Sequence, residues 1–182
     1  RKTDGFDFVK GQRPVVYISL GTIIKGAVSF FQNCVDAFRG ENMDIIISVG
    51  QKFDVRKLKG VPSNVHIYKS VPQLDVLKIA DVFVTHGGMN SVSEALVYGT
   101  PMVVIPFVSD QPVNARCIEK LGVGKKLEYS TANKNTIKST VFSVASDSDI
   151  KTNLTRVQRL ITEAPGNKGG AELVVRYYNE QV

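Results

Sequence analysis

The sequence has no tryptophan, two histidines and two cysteines among 182 residues. Each shortage narrows what the chain can do. Cys34 and Cys117 are far apart and neither belongs to a C-x-x-C pair, so they read as two reduced thiols in a cytoplasmic protein. With His66 and His86 the only histidines, the usual zinc-ligand spacings cannot be assembled. No apolar run approaches the roughly 18 residues of a membrane span. Arg1-Lys2-Thr3-Asp4 leads into polar sequence, unlike a signal peptide. The chain also starts without an initiator Met, which suggests a fragment or a processed product. The dinucleotide fingerprint G-x-G-x-x-G and the Walker pattern are both missing. Gly122-Val123-Gly124 is a lone G-x-G at a predicted helix end and reads as a C-cap and turn. Basic residues do not interleave with aromatics as in binders of single-stranded nucleic acid. The net charge of +6 is dispersed, which suits an anionic small ligand or a missing acidic partner as well as nucleic acid.

What is present is the pattern of a parallel α/β sheet. Short apolar runs bounded by turn residues alternate with stretches of helical period. Strands are expected at 15–20, 44–49, 65–68, 82–85, 102–105 and, more weakly, 125–127. Helices are expected at 27–38, 73–80, 90–98, 112–121, 134–145, 149–163 and 170–178. Residues 1–14 carry Gly5, Gly11 and Pro14 and read as a linker, leaving 15–182 as one doubly wound, Rossmann-like domain of about six strands. In such sheets ligands bind beyond the carboxyl ends of the strands. That rule selects four loops: Gly21-Thr22, Gly50-Gln51, the loop at His86, and Phe107 to Asn114.

The stretch Thr85-His86-Gly87-Gly88-Met89-Asn90-Ser91 places a titratable ring between a buried strand and a helix start. The glycines let the backbone turn sharply and let a ligand approach it. A helix N-terminus offers free N–H groups and a positive dipole end to an anion. Ser91-Val92-Ser93-Glu94 also fits a capping box, in which Glu94 reaches back to the cap residue. A sharp turn and a capped helix would explain the glycines, Ser91 and Glu94. They would not explain His86.

Val71-Pro72-Gln73, His86-Gly87-Gly88-Met89-Asn90-Ser91, Glu94, Gly99-Thr100-Pro101 and Asp110-Gln111 with Asn114 follow one another in order. This series closely resembles the C-terminal, donor-binding half of UDP-dependent glycosyltransferases of the GT-B fold, with the macrolide and natural-product enzymes as the nearest subgroup. The likeness runs from about Val15 to Gly124 and is tightest from Val71 to Asn114. It implies that His86, Gly88, Asn90 and Ser91 hold the diphosphate of a UDP-sugar, with Thr22 nearby. It implies that Glu94 accepts from the ribose, that Gln73 and the backbone at Val71 meet the uracil, and that Asp110 and Gln111 meet hydroxyls of the donor sugar. Rival structural roles remain open: a cap for Glu94, a helix start for Gln73, a helix cap for Asp110, a tie between helix and loop for Asn114. His66 reads as a strand residue lying mid-sheet without a role.

One departure matters. Many relatives carry a tryptophan that stacks on uracil where this chain has Ser70, so the base must find another apolar contact or bind more weakly. The resemblance implies inverting transfer of a hexose to an acceptor hydroxyl, with His86 stabilising the leaving group and with neither metal nor cofactor. The general base belongs, in the family, to an N-terminal acceptor-binding domain absent from this sequence, so the chain is expected to bind UDP-sugar without turning it over. Two alternatives stand beside this: a separate donor-binding subunit that needs a partner chain, and a non-catalytic nucleotide-sugar sensor.

Overall fold

The computed structural model describes residues 6–21 and 27–164, together with the single positions Gly166, Gly169, Glu172 and Arg176. The six apolar runs become β1 (Val15–Ser19), β2 (Asp44–Ser48), β3 (Val65–Tyr68), β4 (Val82–Thr85), β5 (Met102–Val104) and β6 (Gly124–Lys126). They form one 6-stranded parallel sheet in the order β3-β2-β1-β4-β5-β6. Every residue of β1, β4 and β5 is buried. Strands covered on both faces read as continuous apolar runs, which is why they were legible without alternation.

Between and after the strands lie α1 (Val28–Ala37), α2 (Gln73–Ile79), α3 (Met89–Tyr98), α4 (Gln111–Leu121), α5 (Lys134–Ser146) and α6 (Ser148–Glu163). The chain winds outward from β1 to β3, crosses back through α2 to β4, and winds outward the other way to β6. Right-handed crossovers then put the helices of the two halves on opposite faces. Accordingly α1 packs on α5, while α2, α3 and α4 lie side by side with α6 against α3. Tyr17 of β1 and Phe83 of β4 stack across the centre, ring centroids 4.7 Å apart and 5° from parallel. The strand order reverses between β1 and β4, which opens a crevice at their carboxyl ends.

Residues 6–13 have no regular secondary structure, yet they pack against the sheet. Phe6 lies on Tyr68, and Phe8 sits edge-on to His66 with centroids 5.0 Å apart. The Tyr68 hydroxyl donates to Asp7 Oδ1 at 3.0 Å. Arg13 donates from Nη2 and Nε to the two carboxylate oxygens of buried Asp44, at 2.5 and 3.1 Å. His66 is not mid-sheet: β3 is an edge strand, and His66 Nε2 lies 3.5 Å from Asp44 Oδ1. Thr22 and most of the helix expected at 170–178 lie outside the described residues.

Candidate functional site

A cleft of about 1300 Å³ opens at the carboxyl ends of the strands. Parts of all four loops selected from the sequence line it: Gly21, Gly50 with Gln51, His86 with Gly88, and Ser109 to Gln111. A fifth segment, Lys69 to Asp75, completes the wall.

His86 follows β4 directly and is only 9% exposed. Its ring is clasped by two glycines. A Cβ on Gly21 would come within 2.8 Å of the ring, and one on Gly88 within 2.6 Å. Gly88 has an ordinary φ of −63°, so its need for glycine is steric alone. Gly87 is required twice over, by φ +83° and by Val104, which a Cβ would meet at 2.5 Å. Burial lowers the His86 pKa, and the charge of nearby Asp110 partly opposes that shift. Among the described residues, His86 Nδ1 is buried without a hydrogen-bond partner. An orphaned polar atom of this kind calls for a ligand or a catalytic use.

Helix α3 opens beside this ring. Its N-cap is Gly88, which supplies no side-chain cap, and its first turn contains no acidic residue. The capping box expected from Ser91 and Glu94 is not formed. Ser91 is already the third helical residue, and Glu94 turns instead toward α2, where Gln73 Nε2 donates to Glu94 Oε2 at 2.6 Å. Gln73 also donates to Ser91 Oγ at 3.3 Å, and its Oε1 accepts from the Tyr17 hydroxyl at 2.9 Å. Both ends of the Gln73 amide are thus engaged within the protein, although it also starts α2 after Pro72. The Val71 N–H and C=O, by contrast, have no hydrogen-bond partner among the described residues. Ser70, in the position of the missing tryptophan, accepts from Gln51 Nε2 at 3.1 Å.

Asp110 precedes α4 but does not cap it. Its Oδ2 accepts from the Met89 N–H at the start of α3, at 3.2 Å, and from Asn114 Nδ2 at 2.9 Å. The bond from Asn114 is the main reason its carboxyl pKa is lowered. Asn114 also donates to Gly87 O at 2.8 Å, tying α4 to the histidine loop as its structural reading expected. Gln111 is 2% exposed, and its Oε1 accepts from the N–H groups of Phe107 and Val108 at 2.8 and 3.2 Å. The amide oxygen therefore holds the loop, and its NH2 is the group left for a ligand. Asn90 stands exposed at the mouth.

The sequence reading missed Tyr17, Lys69, Lys78 and Tyr98, all of which line the cleft. Only the burial of Tyr17 in a strand hinted at a role, since a buried hydroxyl needs a partner. The one Asp-x-Asp triplet in the sequence, Asp147-Ser148-Asp149, is not in the cleft. Asp147 caps α6 by accepting from the N–H groups of Asp149 and Ile150.

Comparison with known proteins agrees with this fold. Residues 3–168 match the profile of the family described as UDP-glucoronosyl and UDP-glucosyl transferase. The chain is 39% identical to the NDP-glycosyltransferase YjiC of Bacillus subtilis (strain 168), over 90% of its own length and 41% of that protein's. It is 32% identical to the oleandomycin glycosyltransferase of Streptomyces antibioticus, over 93% and 40%. Among solved structures it is similar to the glycotransferase of kitacinnamycin, with TM-score 0.87 and 32% identity, covering 97% of this chain and 46% of that one. CalG4, the calicheamicin glycosyltransferase, aligns with TM-score 0.84 and 28% identity over 94% and 45%. The chain spans about two fifths of the length of the curated relatives it matches. A doubly wound sheet with its cleft at the switch point, and these matches across nearly the whole chain, show that the protein belongs to the UDP-glycosyltransferase family and has the fold of the C-terminal half of a GT-B enzyme.

Proposed function

We propose that this chain, through residues 15–182, is the donor-binding part of an inverting UDP-sugar-dependent glycosyltransferase, with residues 1–14 joining it to an acceptor-binding domain. The observation that carries the reading is the buried His86 Nδ1, without a partner among the described residues, beside the start of α3, whose N-cap Gly88 brings no side chain and whose first N–H alone is met, by Asp110. The N–H groups that remain at a helix N-terminus favour an anion, and a neighbouring imidazole adds a donor. The diphosphate sits there, against His86, Gly88, Asn90 and Ser91. The ribose lies at Glu94, the base meets the Val71 backbone, and the sugar meets Asp110 and the Gln111 NH2. Gln73 holds Glu94 rather than touching the base.

In the reaction the acceptor oxygen attacks the anomeric carbon from the face opposite the diphosphate. The bond from that carbon to the phosphate oxygen breaks, and its electron pair leaves with UDP. The acceptor's proton goes to a base outside this chain. Charge grows on the departing diphosphate, where the preorganised N–H groups of α3 and His86 stabilise it. No metal enters this scheme.

Calorimetric titration of the chain with UDP, TDP, GDP and UDP-glucose tests the reading. UDP and UDP-glucose should bind, and His86→Ala should weaken both by roughly 1.5–3 kcal/mol, the range for a hydrogen bond to a charged group. No binding by any nucleotide, or full affinity in the His86→Ala variant, would sink it.

A further inference from the structure

We propose that Tyr17 is a positioning residue for the nucleotide's ribose: acting through Gln73, its hydroxyl sets the Glu94 carboxylate that receives the diol. The proposal rests on the ribose lying at Glu94, as in the function argued above.

The contacts form one chain across three elements. Tyr17 is on β1, 1% exposed, with its ring stacked on Phe83. A phenylalanine would fill that volume and keep the stack. The hydroxyl is the part that packing does not require, and it emerges at the floor of the cleft. There it donates to Gln73 Oε1 at 2.9 Å. Burial first, and the charge of Glu94 in addition, hold the phenol far above its ordinary range. Tyr17 therefore keeps its proton and remains a donor at any physiological pH.

The Glu94 carboxylate, which can only accept, fixes which way the Gln73 amide faces, and the Tyr17 hydroxyl satisfies the amide oxygen at the other end. With Oε1 on Tyr17, the NH2 points to Glu94 Oε2 at 2.6 Å and to Ser91 Oγ at 3.3 Å. The flipped amide would set its oxygen against the carboxylate, and that oxygen would lose the Tyr17 donor. One orientation satisfies every group. Glu94 is thus held by one oxygen, while Oε1 has no hydrogen-bond partner among the described residues. A carboxylate fixed at one oxygen can accept from two adjacent hydroxyls without first losing rotamer freedom, which is the advantage of a preorganised site.

The rival is that the chain merely ties α2 to α3. The two differ in what Tyr17→Phe does to different ligands. Binding of UDP, 2′-deoxy-UDP and inorganic pyrophosphate is measured by calorimetry on the 182-residue chain, with melting temperature alongside. The expected result is an affinity for UDP lower by about fivefold, the factor carried by one hydrogen bond. The ratio of UDP to 2′-deoxy-UDP affinity should shrink, and pyrophosphate should be unchanged. In a Glu94→Gln background the same substitution should add nothing, because both act on one contact. Gln73→Met, on a half-exposed helix surface, reads the same relay without touching the core, and should show the same selective loss. A proportional loss for all three ligands, or an unchanged UDP to 2′-deoxy-UDP ratio in either variant, would overturn the relay. A wild-type chain that binds UDP no better than pyrophosphate would overturn the ribose assignment itself, and the relay with it.

Discussion

His86 shows how one side chain can answer to protein and ligand with opposite signs. Burial depresses its folded pKa below the unfolded value of about 6.5. Its contribution to stability is therefore full above that value and is lost as pH falls through the depressed folded pKa. A diphosphate at Nδ1 would act the other way and raise the pKa of the bound form. Affinity for UDP-glucose, whose phosphates do not titrate in this range, should tighten as pH falls between the bound and free pKa values. It should be flat above and below that window. Calorimetry in buffers of different ionisation enthalpy should show proton uptake on binding near the middle of the window. His86→Asn should abolish the uptake. A pH-independent affinity in the wild type would place the ligand away from the ring.

At the scale of elements, the start of α4 has two tasks that substitution can separate. Gln111 holds the Phe107 and Val108 amides through its oxygen, whereas Asp110 faces the start of α3 across the cleft. Gln111→Leu should leave two amides unsatisfied and cost about 1–3 kcal/mol in stability, lowering the melting temperature and affinity for UDP-glucose together. Asp110→Ala should reduce affinity for UDP-glucose while leaving UDP within a factor of two or so, because the nucleotide alone lacks the hydroxyls that a carboxylate accepts. Equal losses for both ligands in Asp110→Ala would show that the residue serves only the Met89 and Asn114 contacts. These cases also show what the sequence could and could not reveal. The strands were readable because burial on both faces leaves an uninterrupted apolar signal, and His86 because a ring has no structural reason to sit beside Gly87 and Gly88. Ser91-x-x-Glu94 misled for a physical reason. The local pattern is identical whether the carboxylate turns back to its own helix or outward to a neighbour, and the neighbour is Gln73, 21 residues away in sequence. Tyr17 was illegible for the same reason, its partner being 56 residues away.

At the scale of the whole molecule, residues 6–13 form a strap across the β3 edge, ordered Phe6 on Tyr68, Phe8 on His66 and Arg13 on Asp44. The strap thus runs against the direction of β3, with Phe6 nearer the cleft end of the sheet and Arg13 at the opposite end. Asp44 is buried and Arg13 half-exposed, so Arg13→Ala should destabilise the fold by ~1–2 kcal/mol, less than for a fully buried pair. Nucleotide affinity should not change, since neither residue reaches the cleft. Denaturant unfolding with and without UDP would separate the two effects. The contact of Ser70 with Gln51 has another use. A chain without tryptophan has no indole emission, and Ser70 lies on the cleft wall in the segment leading to Val71. Ser70→Trp would give the molecule a single indole, placed where the base is proposed to lie. If the base stacks there, UDP should quench that emission and bind more tightly by roughly 1–3 kcal/mol, while pyrophosphate leaves the light unchanged. The cleft would then report its own occupancy optically, one nucleotide at a time.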